Sequence, residues 1–403
     1  MKVPVEPRYT EYLHTKAVRA GIPLNGTFEL TPCCNMACRM CYVRLTKQQQ
    51  EAIAPLRTAR EWIELGRRAK EHGMLYLLLT GGEPFLRPDF REILSALHEM
   101  GLIISINSNG TLIDEETVAW LKETPPTRIN ITLYGASDAT YARLCANPRG
   151  FTQVTRAIRL LKEAGISVKL NCSVTPHNAQ DLDAMFAFAE REELVIQATS
   201  YMFPPMRRDE TMVGKNDRFT AQEAAYYSAR ISCLMSGEAD FLERMEHDAP
   251  PILTADVGED CPVLPDEADG MRCRAGKCSF WVTWEGRLLP CGMFPSGREV
   301  NVFEADFLQA WQGVRQMAAS IRVSPKCSSC QLKDACRTCA AMAMAETGEF
   351  SGTPQYRCDM ATGFPVACRT LEAQLRAAKK TLVQEHSPVE PEKKEMNDGN
   401  EKT

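Results

Sequence analysis

The sequence predicts an α/β fold: six parallel strands joined by helical crossovers, arranged as an open or closed barrel, followed by a small cysteine-rich domain. Three observations carry this. Strand-sized apolar runs alternate with amphipathic helices over residues 27–200, the alternation stops past residue 260, and eight of the 17 cysteines crowd between Cys273 and Cys358. The strand runs fall at 27–31, 74–79, 102–107, 128–133, 166–174 and 194–200. Strands linked by helices make a parallel sheet wound right-handedly, and their short, mostly apolar character suits burial on both faces. Periodicity does not choose between a barrel and a flat doubly wound sheet. The barrel is preferred, and in either case ligands sit at the carboxyl ends of the strands.

Each helix carries its own start or stop signal. Thr58 and Glu61 form a capping box for a helix with Trp62, Leu65 and Ala69 on one face, ended by Gly73. Pro88 opens the next, with Phe90, Ile93, Leu94 and Leu97 inward and Gly101 closing it. Asp114 opens a third, residues 151–164 form a fourth, and Asn178 caps a fifth. A further helix is expected at 220–235. Residues 280–283 and 287–289, separated by Trp284-Glu285-Gly286, read as a hairpin. A last helix at 361–380 is expected to break near Gly363 and Pro365. The implied segments are an N-terminal piece (1–25), a core barrel (26–205), a bridging region (206–265), an auxiliary domain (266–380) and a disordered tail (381–403). In the tail, past Glu385, Pro, Glu, Lys, Asn and Gly dominate.

With 44% apolar residues the chain can build a packed core, and its net charge of −5, with acids and bases interspersed, includes no basic stripe for nucleic acid. The N-terminus has no apolar stretch of signal-peptide length, and runs such as 74–79 are far too short to span a bilayer. A cytoplasmic protein without a membrane partner is expected. In such a reducing compartment so many cysteines point to metal rather than disulfides. Cys33, Cys145, Cys172, Cys233, Cys261 and Cys368 read as small buried hydrophobes.

Cys34, Cys38 and Cys41 stand in a C-x3-C-x2-C spacing on the loop after the first strand. Three thiolates on one loop can hold three corners of an iron–sulfur cubane and leave one iron open, as a substrate-binding cluster needs. Zinc takes four ligands, usually from two spaced pairs, and three cysteines without a nearby histidine complete such a site poorly. After the second strand comes Thr80-Gly81-Gly82-Glu83-Pro84, where paired glycines let backbone approach a ligand and Glu83 can accept from an ammonium. Ser105-Ile106-Asn107-Ser108-Asn109-Gly110 ends the third strand. Asn171 and Ser173 on the fifth, and Tyr134 and Gly135 after the fourth, can line the same cavity.

The cysteine spacing, followed by aromatic Tyr42, resembles the signature of the radical S-adenosylmethionine superfamily. Residues 81–84 resemble that family's GGEP motif, and 108–110 its SNG segment. The resemblance implies a partial parallel (β/α)6 barrel. It implies a 4Fe–4S cluster on Cys34, Cys38 and Cys41 whose open iron chelates S-adenosylmethionine. It also implies reductive cleavage to a 5′-deoxyadenosyl radical that takes a hydrogen atom from substrate, and an electron donor such as flavodoxin or ferredoxin. Gly81, Gly82, Glu83 and Pro84 would then lie by the cofactor's amino group, with Ser108 and Asn109 by its ribose and carboxylate, and Asn171 and Ser173 in the same cavity.

The late cysteines read as Cys273-x4-Cys278, Cys291 after Gly286, Cys327-x2-Cys330-x5-Cys336-x2-Cys339, and Cys358. Eight thiolates make two sets of four, and two zinc ribbons are the alternative. The order of spacings resembles the SPASM domain of radical enzymes. It implies two more 4Fe–4S clusters, one on Cys273, Cys278, Cys291 and Cys339 and the other on Cys327, Cys330, Cys336 and Cys358. With all eight positions filled, electron transfer is favoured over substrate ligation. Gly292 follows Cys291, where sulfatase maturases of this class carry an Asp, which counts against that activity. A peptide or protein substrate is the first expectation and a tetrapyrrole of the haem pathway the second. About thirty residues precede Cys34, fewer than a packed leader-binding domain needs, so a separate leader-recognition protein is the expected partner for a peptide.

Overall fold

The computed structural model describes residues 8–204, 217–247, 270–295 and 300–385. About half of the bridging region, Cys261 and tail residues 386–403 lie outside them. The strands are β1 Asn25–Glu29, β2 Tyr76–Thr80, β3 Ile103–Ser108, β4 Arg128–Thr132, β5 Val168–Ser173, β6 Val195–Thr199, β7 Ser279–Val282 and β8 Leu288–Leu289. The helices before β5 are α1 Arg8–Ala20, α2 Lys47–Ile53, α3 Ala59–Glu71, α4 Phe90–Glu99, α5 Glu115–Glu123, α6 Asp138–Cys145 and α7 Gly150–Glu163. Then come α8 Leu182–Arg191, α9 Ala221–Ser236, α10 Glu238–Glu246, α11 Phe307–Ser320, α12 Pro325–Ser328, α13 Lys333–Cys336, α14 Ala340–Thr347 and α15 Gln355–Glu385.

β1 to β6 pair in parallel in sequence order, and the sheet runs β6-β5-β4-β3-β2-β1-β7-β8. It is the partial (β/α)6 barrel, open between its two edges. The capping box at Thr58 and Glu61 forms as read, as does the Asp114 cap of α5, and the expected helix at 220–235 forms as α9 behind a Thr220–Glu223 capping box. Asn178 departs from its expected role. It stands at the N-cap position of the 3-10 turn Ala179–Asp181 that runs into α8 at Leu182, but its side chain makes no capping bond. Its carbonyl oxygen accepts from the Thr175 amide at 2.7 Å, and its amide donates to the carbonyls of Tyr134 and Ser173, both at 3.0 Å. A side chain with two donors and an acceptor is used there to tie the ends of β4 and β5 together.

The strands are not apolar on both faces. Phe28, Leu79, Ile104, Ile106, Ile131, Leu170 and Ile196 are buried on the helix side, where the Phe28 ring lies 5.2 Å from that of Trp62 on α3. Cα partners share a face, and the opposite face reads Glu29 beside Thr80, Asn107 beside Asn130, Thr132 beside Asn171, and Ser173 beside Thr199. Asn130 donates to Asn107 across this row at 2.8 Å. The inner wall is therefore polar, and its two-residue period is visible in Ser105-Ile106-Asn107 and Asn171-Cys172-Ser173.

The hairpin forms, with Trp281 opposite Leu289 and Val282 opposite Leu288. It does not stand apart. β7 pairs in parallel with β1, from Asn25–Ser279 to Phe28–Val282, so the barrel sheet continues into the cysteine-rich part. At the other edge, past β6, the Tyr201 hydroxyl donates to Glu346 on α14 at 3.0 Å, and Arg218 binds both oxygens of that carboxylate. The final helix also differs from its expectation. α15 begins at Gln355 and runs unbroken through Gly363 and Pro365 to Glu385, so residues 381–385 are helical. An interior proline costs about 3 kcal/mol. Burial of Met360, Ala361, Phe364, Ala367, Cys368 and Leu371 along one side offsets it.

Candidate active site

The loop after β1 and the loop after β2 are strapped together by backbone. The Gly82 amide donates to the Thr31 carbonyl at 2.6 Å and the Glu83 amide to that of Cys33 at 2.9 Å. A Cβ on Gly81, whose φ is +153°, would meet the Thr31 oxygen at 2.5 Å, and one on Gly82 the Cys33 oxygen at 2.2 Å. The glycines thus serve the approach of one loop to the other as well as any ligand. Gly82→Ala is expected to cost about 1–3 kcal/mol, since backbone and not a pliant side chain must yield. A melting temperature equal to the parent's would show that the junction relaxes freely.

Glu83 is fully buried. One oxygen accepts from the Ser108 hydroxyl at 2.9 Å and the Phe85 amide at 3.1 Å; the other accepts from the Asn109 amide at 2.8 Å. Burial pushes its carboxyl up to about 7 against these hydrogen bonds. Pro84 opens the short 3-10 turn that follows and is buried. The Asn109 side chain turns the other way and donates to the Cys34 sulfur at 3.6 Å and to Asn35 at 2.9 Å. The segment after β3 therefore holds Glu83 and the cysteine loop in one network. Asn171 and Ser173 stand half-buried on the inner wall of β5.

On the cysteine loop the Met36 amide donates to Cys34 sulfur at 3.4 Å and the Arg44 amide to Cys41 sulfur at 3.3 Å. Burial first, then the charges of Glu83, Cys38 and Cys41, push the Cys34 thiol up to about 12. Cys38 shares a hydrogen bond with Cys145 and another with the Tyr134 hydroxyl, which draw its pKa down. Cys145 is buried as expected, but its place is against a site cysteine. The end of α6 docks on the loop through Ala37 and Arg39 amides that donate to the Cys145 and Leu144 carbonyls at 2.9 and 3.1 Å. Nothing in the spacing of Cys145 from Cys38 signals this contact.

The late cysteines divide in space. Cys273, Cys291 and Cys339 pack around one small core with Phe294 and Phe203, and the first two raise Cys339 by their charge, after burial. Cys278 is fully buried against Ala17, Val18 and Leu24. Cys327, Cys330 and Cys336 all act on Cys358, whose pKa is raised first by burial and then by them. Backbone amides donate to sulfur at 3.4 Å from Met293 to Cys291, Leu332 to Cys330 and Met342 to Cys339, repeating the pattern of Cys34 and Cys41. Amide donors to sulfur suit thiolates and tune iron–sulfur sites, so these residues fit such a group. Among the described residues no three His, Cys, Asp or Glu converge to hold a single metal ion. Nor is any described helix long and apolar enough to cross a membrane.

An incomplete parallel barrel with a cysteine loop at its carboxyl rim, a glycine junction and a buried glutamate beside it defines a class. The chain matches the Radical SAM superfamily model over residues 28–189. It is an enzyme, and the family implies a 4Fe–4S cluster and S-adenosylmethionine; the cysteine-rich region is consistent with the SPASM type. The AdoMet-dependent heme synthase of Methanosarcina barkeri is 25% identical over 342 residues, covering 82% of this chain and 94% of that protein. The PqqA peptide cyclase of Gluconobacter oxydans is 25% identical over 343 residues, 82% and 89% respectively. Streptococcus suis SuiB bound to precursor peptide SuiA shares the fold with a TM-score of 0.63 at 18% identity, over 89% of this chain and 82% of that one.

Proposed function

We propose that this enzyme oxidatively modifies a peptide, using three 4Fe–4S clusters. The observation that carries the site is the Asn109 link, which joins buried Glu83 to Cys34. Cys34, Cys38 and Cys41 hold the first cluster, which with S-adenosylmethionine supplies hydrogen-atom abstraction when bound. Gly81 and Gly82 hold the junction, Glu83 accepts from the cofactor's ammonium, and Ser108 and Asn109 fix the carboxylate. Cys273, Cys278, Cys291 and Cys339, and Cys327, Cys330, Cys336 and Cys358, hold two auxiliary clusters that carry electrons. A flavodoxin or ferredoxin supplies the reducing electron, and a separate leader-recognition protein presents the peptide. Residues 26–205 are the core and 266–380 the auxiliary part.

A peptide substrate is supported by the peptide named in the cyclase relative and the precursor bound to SuiB. The inner wall supports it too, because amides and hydroxyls of Asn107, Asn171, Ser173 and Thr199 match the donors and acceptors of a peptide backbone. The heme synthase relatives support a tetrapyrrole as the second reading. The test is anaerobic turnover of the reconstituted chain with peptides from short reading frames beside its gene, and separately with an iron tetrapyrrole. Hydrogen loss by mass spectrometry from a peptide is expected; loss from the tetrapyrrole alone would overturn the peptide reading.

Glu83 makes the site pH-dependent. Its pKa of about 7 lies above the ordinary 4.5, so the carboxyl holds its proton below pH 7. Affinity for S-adenosylmethionine should therefore fall as pH drops below about 7. Stability of the empty protein from this group moves the opposite way, present at pH 4.5 and below and lost as pH rises through 7. Glu83→Ala removes one charge-assisted bond of about 1.5–3 kcal/mol, a tenfold to hundredfold loss of affinity in calorimetry. Undiminished affinity would remove Glu83 from the site.

A further inference from the structure

Tyr141 and Cys145 stand four residues apart on one face of α6, and both are fully buried. That face packs on the cysteine loop and on the end of β4. The carbonyls of Cys145 and Leu144 accept from the Ala37 and Arg39 amides at 2.9 and 3.1 Å, on either side of Cys38 in the chain. Tyr134 is fixed beside them. Its amide donates to the Tyr141 hydroxyl at 3.1 Å, its carbonyl accepts from Asn178 at 3.0 Å, and its ring stands edge-on to that of Tyr141 at 6.0 Å. So held, the Tyr134 hydroxyl and the Cys145 thiol both meet the Cys38 sulfur in hydrogen bonds. Cys34 and Cys41 accept from the nearby backbone amides of Met36 and Arg44, whereas Cys38 draws on side chains more than 90 residues away in the chain. The chain leaves Cys145 through Ala146 at a φ of 54°, a left-handed conformation that glycine adopts more readily, so the docked helix end is kept at some cost in strain.

We propose that Tyr134 and Cys145 are positioning residues of the first cluster, donating to the Cys38 sulfur so as to hold it at its corner and to raise the cluster's reduction potential. The inference rests on reading Cys34, Cys38 and Cys41 as one four-iron site, and it gives Tyr134 a role toward the iron rather than toward substrate. A ligating thiolate accepts hydrogen bonds only, and a phenol and a thiol each have one proton to give. Reduction adds negative charge to the cluster and its sulfurs. A donor aimed at sulfur therefore stabilises the reduced form more than the oxidised one, and burial strengthens the effect. The phenol is the stronger donor of the two and carries the larger share. Partners of this kind also orient the ligand they touch.

Three substitutions in the full, reconstituted chain separate tuning from packing. Tyr134→Phe removes the hydroxyl and keeps the ring against Tyr141. Cys145→Ala removes the thiol, and Cys145→Ser restores a donor. Iron is counted, the iron-free chains are melted, and reduction is followed by electron paramagnetic resonance during a potentiometric titration. The first cluster's signal is the one that S-adenosylmethionine perturbs, since only that cluster has an open iron. Tyr134→Phe and Cys145→Ala are each expected to keep about twelve irons and to lower the midpoint of that signal, Tyr134→Phe by more, with Cys145→Ser near the parent and the other midpoints unmoved. Loss of the first cluster alone in Tyr134→Phe, with the iron-free chain melting as the parent does, also supports the proposal. A midpoint unmoved at full iron in Tyr134→Phe or in Cys145→Ala overturns the role of that residue. Iron loss in Tyr134→Phe together with a clearly lower melting temperature of the iron-free chain overturns it too, because the hydroxyl then serves the fold. A parent with no signal that responds to S-adenosylmethionine sinks the reading of the first cluster itself.

Discussion

Replacing Cys34, Cys38 and Cys41 together by alanine should lower iron from about twelve to about eight per chain and abolish 5′-deoxyadenosine formation. The fold should survive. Cys34 and Cys41 are half-buried, so the Met36 and Arg44 amides that now donate to sulfur can turn to water. Only Cys38 leaves a small cavity, costing roughly 1 kcal/mol. A variant that melts within a few degrees of the parent yet makes no 5′-deoxyadenosine identifies the thiolates as chemical and not structural. Zinc in place of iron, with no visible charge-transfer absorption, would defeat the assignment.

The second large effect concerns the other end of the chain. Cys327→Ser or Cys358→Ser should remove one auxiliary cluster, leaving about eight irons, and should separate cleavage from product. S-adenosylmethionine is still converted to 5′-deoxyadenosine, because the site at Cys34 and Glu83 shares no ligand with that group. Product formation stops, because the electron left on substrate has lost its route. The motive is spatial: Cys327, Cys330 and Cys336 all bear electrostatically on Cys358. A soluble variant lacking that cluster but forming product at the parent rate would refute the relay.

Much of this could be read directly. The six strands fall within two residues of their expected bounds at every end. The cysteine loop, Gly81-Gly82-Glu83-Pro84 and Ser108-Asn109 were legible because each lies within a few residues of a strand end. What was not legible depended on tertiary partners. Asn178 reads as a cap because Asn suits caps, but its hydrogen bonds go to chain segments brought together by β4 and β5. Pro365 reads as a break, and burial of one helix face outweighs it. Cys145 stands 107 positions from Cys38 in the chain, and no local pattern connects them. The pairing of β7 with β1 was hidden for the same reason.

That last pairing makes the cysteine-rich region a poor candidate for exchange as a cassette. Shortening the chain before residue 279 would strip β1 of its neighbour and leave the row from Asn25 to Phe28 as a bare sheet margin. It would also uncover the buried ring of Trp62, now 5.0 Å from that of Phe303, and the His72 ring, now 5.8 Å from that of Phe307. A bare strand margin with fresh apolar surface recruits other chains. Grafts between relatives should therefore be cut inside loops on the far side of β8, with β7 travelling alongside β1. A core cut free at residue 205 is expected to aggregate on expression even though its own six strands and their helices are complete.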